Sequence, residues 1–287
     1  MLAAFILFLR EGFEASLIVS ILLAALRQLG QMGKARAVWT GVLLAVLGSL
    51  LGGAALYIII HNYVGSTIQA VFETITYLIA VALLTTMTFW MQQHSRSLKK
   101  EITAQASIAG SGFALGLLAF TTVGREGLET AVFMLAFAFT TNALLLLIGA
   151  LLGLLAAIGL CFLIYRLGYR LDFRLFFRVM GILLLFFAAG LLGDAVQNMQ
   201  QLGWLTFGAT PLWNTARFLS EDSTLGDILH TFLGYAEAPT ILQVILYVGY
   251  LLAAGSIFTW MTRKPPTMHR ARKANDSTVS GALHGHV

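Results

Sequence analysis

One charged pentapeptide occurs twice in this chain, as Arg10-Glu11-Gly12-Phe13-Glu14 and as Arg125-Glu126-Gly127-Leu128-Glu129, each time within an apolar run that carries no other charge. A single charge at the centre of a bilayer costs about 3 kcal/mol on insertion scales, so six of them are tenable only if they face one another or water. A soluble fold offers no alternative, because 58% of the 287 residues are hydrophobic and only 11% are charged.

Crossing the hydrocarbon takes about 20 apolar residues in a helix. Seven stretches qualify, at roughly 2–26, 38–60, 70–92, 112–138, 143–165, 178–198 and 241–261. The N-terminus has no basic leader and its apolar run is broken by Arg10, Glu11 and Glu14, so it reads as the first membrane helix rather than a signal peptide. Positively charged loops stay in the cytoplasm. Of the 18 lysines and arginines, 15 follow spans one, three, five and seven, while the loops at 61–69 and 140–142 carry none and the loop at 199–240 carries only Arg217. The chain is therefore expected to place its N-terminus outside and its C-terminus inside. Trp39, Trp90 and Trp260 fall at expected cytoplasmic ends, where simple interfacial anchoring explains them.

The two pentapeptides lie 115 residues apart, in spans one and four. Three spans per unit make these cross in opposite directions, which gives an all-α membrane protein with a 3+3 inverted-topology repeat and one added C-terminal helix. The expected organisation is a membrane domain at 1–262 (repeat one 1–100, repeat two 110–200, outer loop 199–240, seventh helix 241–261) and a cytoplasmic basic tail at 263–287, whose polar composition predicts disorder.

In a helix, glutamates at i and i+3 lie about 60° apart around the axis. Glu11 with Glu14, and Glu126 with Glu129, each form a carboxylate face, and Arg10 and Arg125 can pair four residues on with Glu14 and Glu129. The intervening glycine admits a close neighbour, either a backbone or an ion. One reading is a salt-bridge network that only fixes helix packing. The other is a cation site of up to four carboxylates for a hard ion such as iron, manganese, magnesium or calcium. The single cysteine, Cys161, excludes a disulfide framework or a thiolate site. A ferritin-type di-iron enzyme uses Glu-x-x-His, and no histidine stands three residues after these glutamates. No nucleotide-binding motif is present, and the basic residues lie in short loops rather than in a nucleic-acid-binding patch.

The duplicated R-E-G-x-E in a seven-span chain resembles the oxidase-dependent iron transporter family, which takes in the fungal high-affinity iron permeases and bacterial EfeU-like permeases. The resemblance extends to Phe89-Trp90-Met91 with Ser95-Arg96, to Ala188-Ala189-Gly190-Leu191 and to Gly234-Tyr235-Ala236-Glu237-Ala238-Pro239. It implies iron uptake through the inner membrane, with iron as transported substrate and no cofactor. It also implies Glu11, Glu14, Glu126 and Glu129 as the metal-handling residues, supported by Arg10 and Arg125, and a periplasmic iron-binding or iron-oxidising partner. Two positions depart from the pattern: Phe13 replaces the usual leucine, and Asp194 is an additional carboxylate. On physics alone, a permease for another divalent ion such as manganese stays open, because carboxylates discriminate poorly among these metals.

Glu73, Asp194 and Glu237 are secondary candidates for an ion path. Glu73 is either a solvated cap or a relay carboxylate; Asp194 either extends the path or sits at the wet outer end beside Gln197 and Asn198. Glu221, Asp222, Asp227, His230 and Glu237 form a local acidic excess that can concentrate cations, or is simply solvated. Apolar residues at 225, 228, 229, 232 and 233 predict a short amphipathic helix over 224–235, and Trp204 and Trp213 suit the same interface. His61, His94 and His230 read as isolated structural residues.

Overall fold

The computed structural model describes residues 1–61, 66–94, 98–108, 111–140, 142–167, 173–220 and 223–263. Glu221, Asp222, the basic positions Arg96 and Arg170 and the tail from residue 264 lie outside the described residues, as does the side chain of Asp227. The described residues are overwhelmingly helical: α1 (Leu2–Gln28), α2 (Ala35–His61), α3 (Thr67–His94), α4 (Leu98–Ile108), α5 (Gly112–Thr140), α6 (Ala143–Leu167), α7 (Phe173–Gln201), α8 (Thr224–Leu233) and α9 (Ile241–Arg263).

Each expected apolar stretch coincides with one long helix to within about five residues. Five helices are long and apolar enough to cross a membrane by length and composition, and these correspond to α2, α3, α6, α7 and α9. The remaining long helices, α1 and α5, have 27 and 29 residues, and they are the two that carry the charged pentapeptides. The short α4 was not expected from the polar segment after α3. It packs on α1 through Ile102 and Ala106, one helical turn apart.

Packing follows a duplicated plan. The chief partner of α2 is α5 and that of α1 is α6, while α3 pairs with α7. Interchanging α1 with α5, α2 with α6 and α3 with α7 maps these pairings onto themselves. The match extends to single residues. A Cβ on Gly41 would run into the Gly116 carbonyl, and one on Gly149 into the Met1 carbonyl. Gly41 and Gly149 are 108 residues apart, and Met1 and Gly116 are 115 apart. Small residues thus bring α1 onto α6 and α2 onto α5 at backbone contact, the usual route to tight helix association in lipid.

Two apolar clusters sit at opposite ends of α1. Ala3, Ala4, Ile6 and Leu7 join Phe133, Ala136 and Phe137 of α5 in one cluster, together with Tyr77, Leu84, Leu184 and Phe187. Ile18, Leu22, Ala25 and Leu26 join Leu115 and Ala119 of α5 in the other, with α4. The start of α1 therefore meets the end of α5, and the end of α1 meets the start of α5. The two helices run antiparallel, and both pentapeptides fall between the clusters.

The segment between α7 and α9 carries α8 where the amphipathic spacing predicts it. Ser223 caps α8 by accepting from the Gly226 N–H at 3.0 Å. Gly234 ends it in the left-handed conformation (φ 61°), where its N–H bonds to the His230 carbonyl and the Tyr235 N–H to that of Leu229. A side chain at Gly234 would also collide with Gly190 of α7, so this glycine is required both by φ and by the close docking of α8 on α7.

Candidate metal centre

The antiparallel crossing of α1 and α5 brings the two pentapeptides to one level. Glu11 of α1 and Glu126 and Glu129 of α5 each offer a carboxylate oxygen, and these oxygens lie within 4.8 Å of one another. Glu11 and Glu126 are buried and Glu129 is nearly so. Glu11 Oε2, Glu126 Oε2 and Glu129 Oε2 are all buried without a hydrogen-bond donor. Three carboxylates held this close repel one another, and the two arginines beside them offset that charge only in part, which is the arrangement a hard cation relieves.

Each arginine bridges the two glutamates of its own helix. Arg10 Nη1 lies 3.1 Å from Glu11 and its Nε 3.0 Å from Glu14. Arg125 Nη2 and Nε lie 3.3 Å from Glu126 and Glu129. The (i, i+4) pairing expected from spacing is present in both helices, and each guanidinium also reaches the adjacent glutamate. Glu14 is buried and paired to Arg10 but is not one of the three carboxylates that cluster. With four glutamates and two arginines the layer carries a formal charge of −2, which a divalent ion would neutralise.

The motif glycines serve helix packing rather than ion access. A Cβ on Gly12 would come to 3.1 Å from the Ala157 Cβ on α6, and one on Gly127 would overlap the Ser49 hydroxyl on α2. Ser49 and Ala157 are related by the same 108-residue offset as Gly41 and Gly149. The repeat seen in sequence as a pentapeptide is thus also a repeat of the groove that seats it.

The secondary candidates lie elsewhere. Glu73 accepts from Gln69 Nε2 at 2.7 Å within α3 and from Asn198 Nδ2 at 3.4 Å on α7. Asp194 of α7 lies 3.8 Å from His230 Nε2 on α8. His230, expected to be isolated, is therefore a partner of Asp194; its Nδ1 lies 2.7 Å from the Tyr235 carbonyl. The main-chain carbonyl of Glu237 accepts from Thr215 N–H at 2.8 Å and ties the segment between α7 and α9 together.

Trp90 has contacts beyond the interfacial anchoring expected of it. Trp39 and Trp260 are exposed at helix ends, whereas Trp90 is partly buried against a cluster containing Leu9, Phe13, Met91, Ala157 and Phe177. Arg125 lies over its ring, 5.1 Å from the centroid. The sequence offered no signal for this contact, because an aromatic residue near a helix end reads as an anchor until the neighbouring helix is placed.

The family model described as iron permease FTR1 family matches residues 1–263. The chain belongs to that family. Among its relatives, the ferrous iron permease EfeU of Yersinia pestis is 35% identical over 266 residues, covering 90% of this chain and 93% of that protein. The ferrous iron permease EfeU of Yersinia pseudotuberculosis serotype I is 36% identical over 262 residues, covering 88% and 90%. That of Escherichia coli O6:K15:H31 is 34% identical over 279 residues, covering 94% and 100%. No solved structure matches the chain. Membership makes the protein a multi-pass membrane permease for iron rather than an enzyme.

Proposed function

We propose that this permease carries iron across the cytoplasmic membrane through the site formed by Glu11, Glu126 and Glu129, with Glu14, Arg10 and Arg125 setting its charge. The observation that carries this reading is the convergence of three buried carboxylates from two different helices, each with an oxygen lacking a donor. A salt-bridge network that only fixed packing would match each carboxylate oxygen to a donor and would not leave three facing one another.

All seven long helices span the membrane in this reading, including α1 and α5, whose glutamates and Arg10 are turned inward. The antiparallel crossing of α1 with α5 and the interchangeable pairings support an inverted 3+3 repeat with α9 added, and the distribution of lysine and arginine supports an N-terminus outside and a C-terminus inside. The apolar clusters on either side of the charged layer then act as the two barriers. Alternating access consists of loosening one while the other stays packed, so the ion meets water on only one side at a time. The membrane potential is a sufficient drive in magnitude, about 2.3 kcal/mol per charge per 100 mV.

On the outer side, Glu73, Asp194 and Glu237 remain candidates for the approach path. The segment bearing α8, with Leu225 and Leu233 exposed along with Trp204 and Trp213, is the surface offered to membrane lipid or to a periplasmic iron-binding or iron-oxidising partner. The test of substrate is growth of a bacterium lacking its own iron and manganese uptake systems. Expression of this chain restores growth on limiting iron and not on limiting manganese; rescue by manganese alone would reassign the cargo.

A further inference from the structure

The two pentapeptides match at every charged position, yet their arginines occupy different surroundings. The Arg10 side chain is 2% exposed and held between Glu11 and Glu14. The Arg125 side chain is 50% exposed, lies slightly farther from its two glutamates, and rests over the ring of Trp90. The ring is itself held in place, since Trp90 packs against Phe13, Met91, Ala157 and Phe177.

This difference matters at the moment an ion arrives. An ion that takes the free Oε2 of Glu126 and Glu129 draws their charge away from the guanidinium paired with the Oε1 of each and repels it, which weakens its hold. Arg10 has no alternative seat and stays with Glu14, which is outside the cluster of three. Both carboxylates that Arg125 holds belong to the cluster, and its further contact is the negative face of an indole. We propose that Trp90 is a positioning residue that holds the Arg125 guanidinium when Glu126 and Glu129 release it, so that Arg125 is the detachable counter-charge of the site and Arg10 the fixed one. This deepens the carboxylate-site reading and rests on it.

Without the indole, Arg125 depends on its carboxylates alone and competes harder with the ion. The test is anaerobic titration of the purified full-length chain in detergent with ferrous iron. Replacing Trp90→Leu raises the Kd by about three- to tenfold, the range a cation–π contact spans, and Trp90→Tyr recovers most of that loss. In an Arg125→Gln background the same Trp90→Leu change moves the Kd by less than about twofold, because nothing remains for the ring to hold. Should Trp90→Leu fail to fold, Trp90→Phe carries the same comparison with a smaller loss that also vanishes with Arg125→Gln. An equal loss with and without Arg125, no loss in Trp90→Leu, or a Tyr variant as weak as Leu would each overturn the role of Trp90. If the wild type binds no iron, or binds it unchanged after Glu126→Gln, the carboxylate site itself fails, which is a separate result.

Discussion

Gly127 of α5 leaves the space that the Ser49 hydroxyl of α2 fills, so a Cβ added at Gly127 would overlap Ser49 Oγ. The matching contact, Gly12 against Ala157, is looser, with the nearest approach at 3.1 Å to a methyl group. Overpacking a tight contact typically costs 1–3 kcal/mol. Gly127→Ala is therefore expected to lower the unfolding temperature in detergent more than Gly12→Ala does. Adding Ser49→Gly, which vacates the space, should restore most of the loss. Equal effects at the two glycines, or no rescue, would show that these contacts do not set the helix spacing.

The arginines differ in what they protect. Removing one partner from a buried ion pair costs about 3–5 kcal/mol, since the remaining charge stays buried, whereas exposed pairs contribute much less. Arg10→Gln strands Glu11 and Glu14 in the bundle, while the Arg125 side chain is half exposed at the bundle surface. Thermal unfolding should show the larger destabilisation for Arg10→Gln. Arg→Lys at either position should impair transport as well, because an ammonium cannot bridge two carboxylates as the planar guanidinium does.

Within the four glutamates, Glu14 stands apart from the cluster of three. Ferrous-iron titration should therefore find Glu126→Gln and Glu129→Gln weakened by at least about tenfold and Glu14→Gln by less, with the loss at Glu14 appearing mainly in stability. A ranking with Glu14 at the top would mean that α1 contributes its second carboxylate, not Glu11, to the ion.

Between α7 and α9, α8 is docked by the Gly190–Gly234 contact, by the Tyr247 hydroxyl donating to the Leu233 carbonyl and by the Asp194–His230 pair. Gly234→Ala introduces a side chain both at positive φ and against α7. Limited proteolysis of the variant should cut between residues 199 and 240 well before the wild type is cut. Unchanged protection would show that α8 is held by other contacts.

The long helices were legible in the sequence because each run is apolar over about 20 residues or more, with few charges inside it and polar or glycine-containing breaks between runs. The 11-residue α4 was not, since Ile102 and Ala106 are the buried residues among its described side chains and the segment around them is polar. The pairing of carboxylates within one motif follows from helix geometry. Which three of the four meet depends on how α1 and α5 cross, information spread over Gly12, Gly41, Gly127 and Gly149 and the residues they touch. The contrast between Arg10 and Arg125 was invisible for a related reason: identical pentapeptides read identically until Trp90 of a third helix is placed beside one of them.

The most direct test of the central claim is uptake of radioactive iron into proteoliposomes, supplied separately as ferrous and as ferric ion, for the wild type and for Glu11→Gln and Glu126→Gln. The account predicts uptake by the wild type and its loss in both variants, with each variant folded and inserted. Undiminished uptake by a correctly folded Glu126→Gln would contradict it.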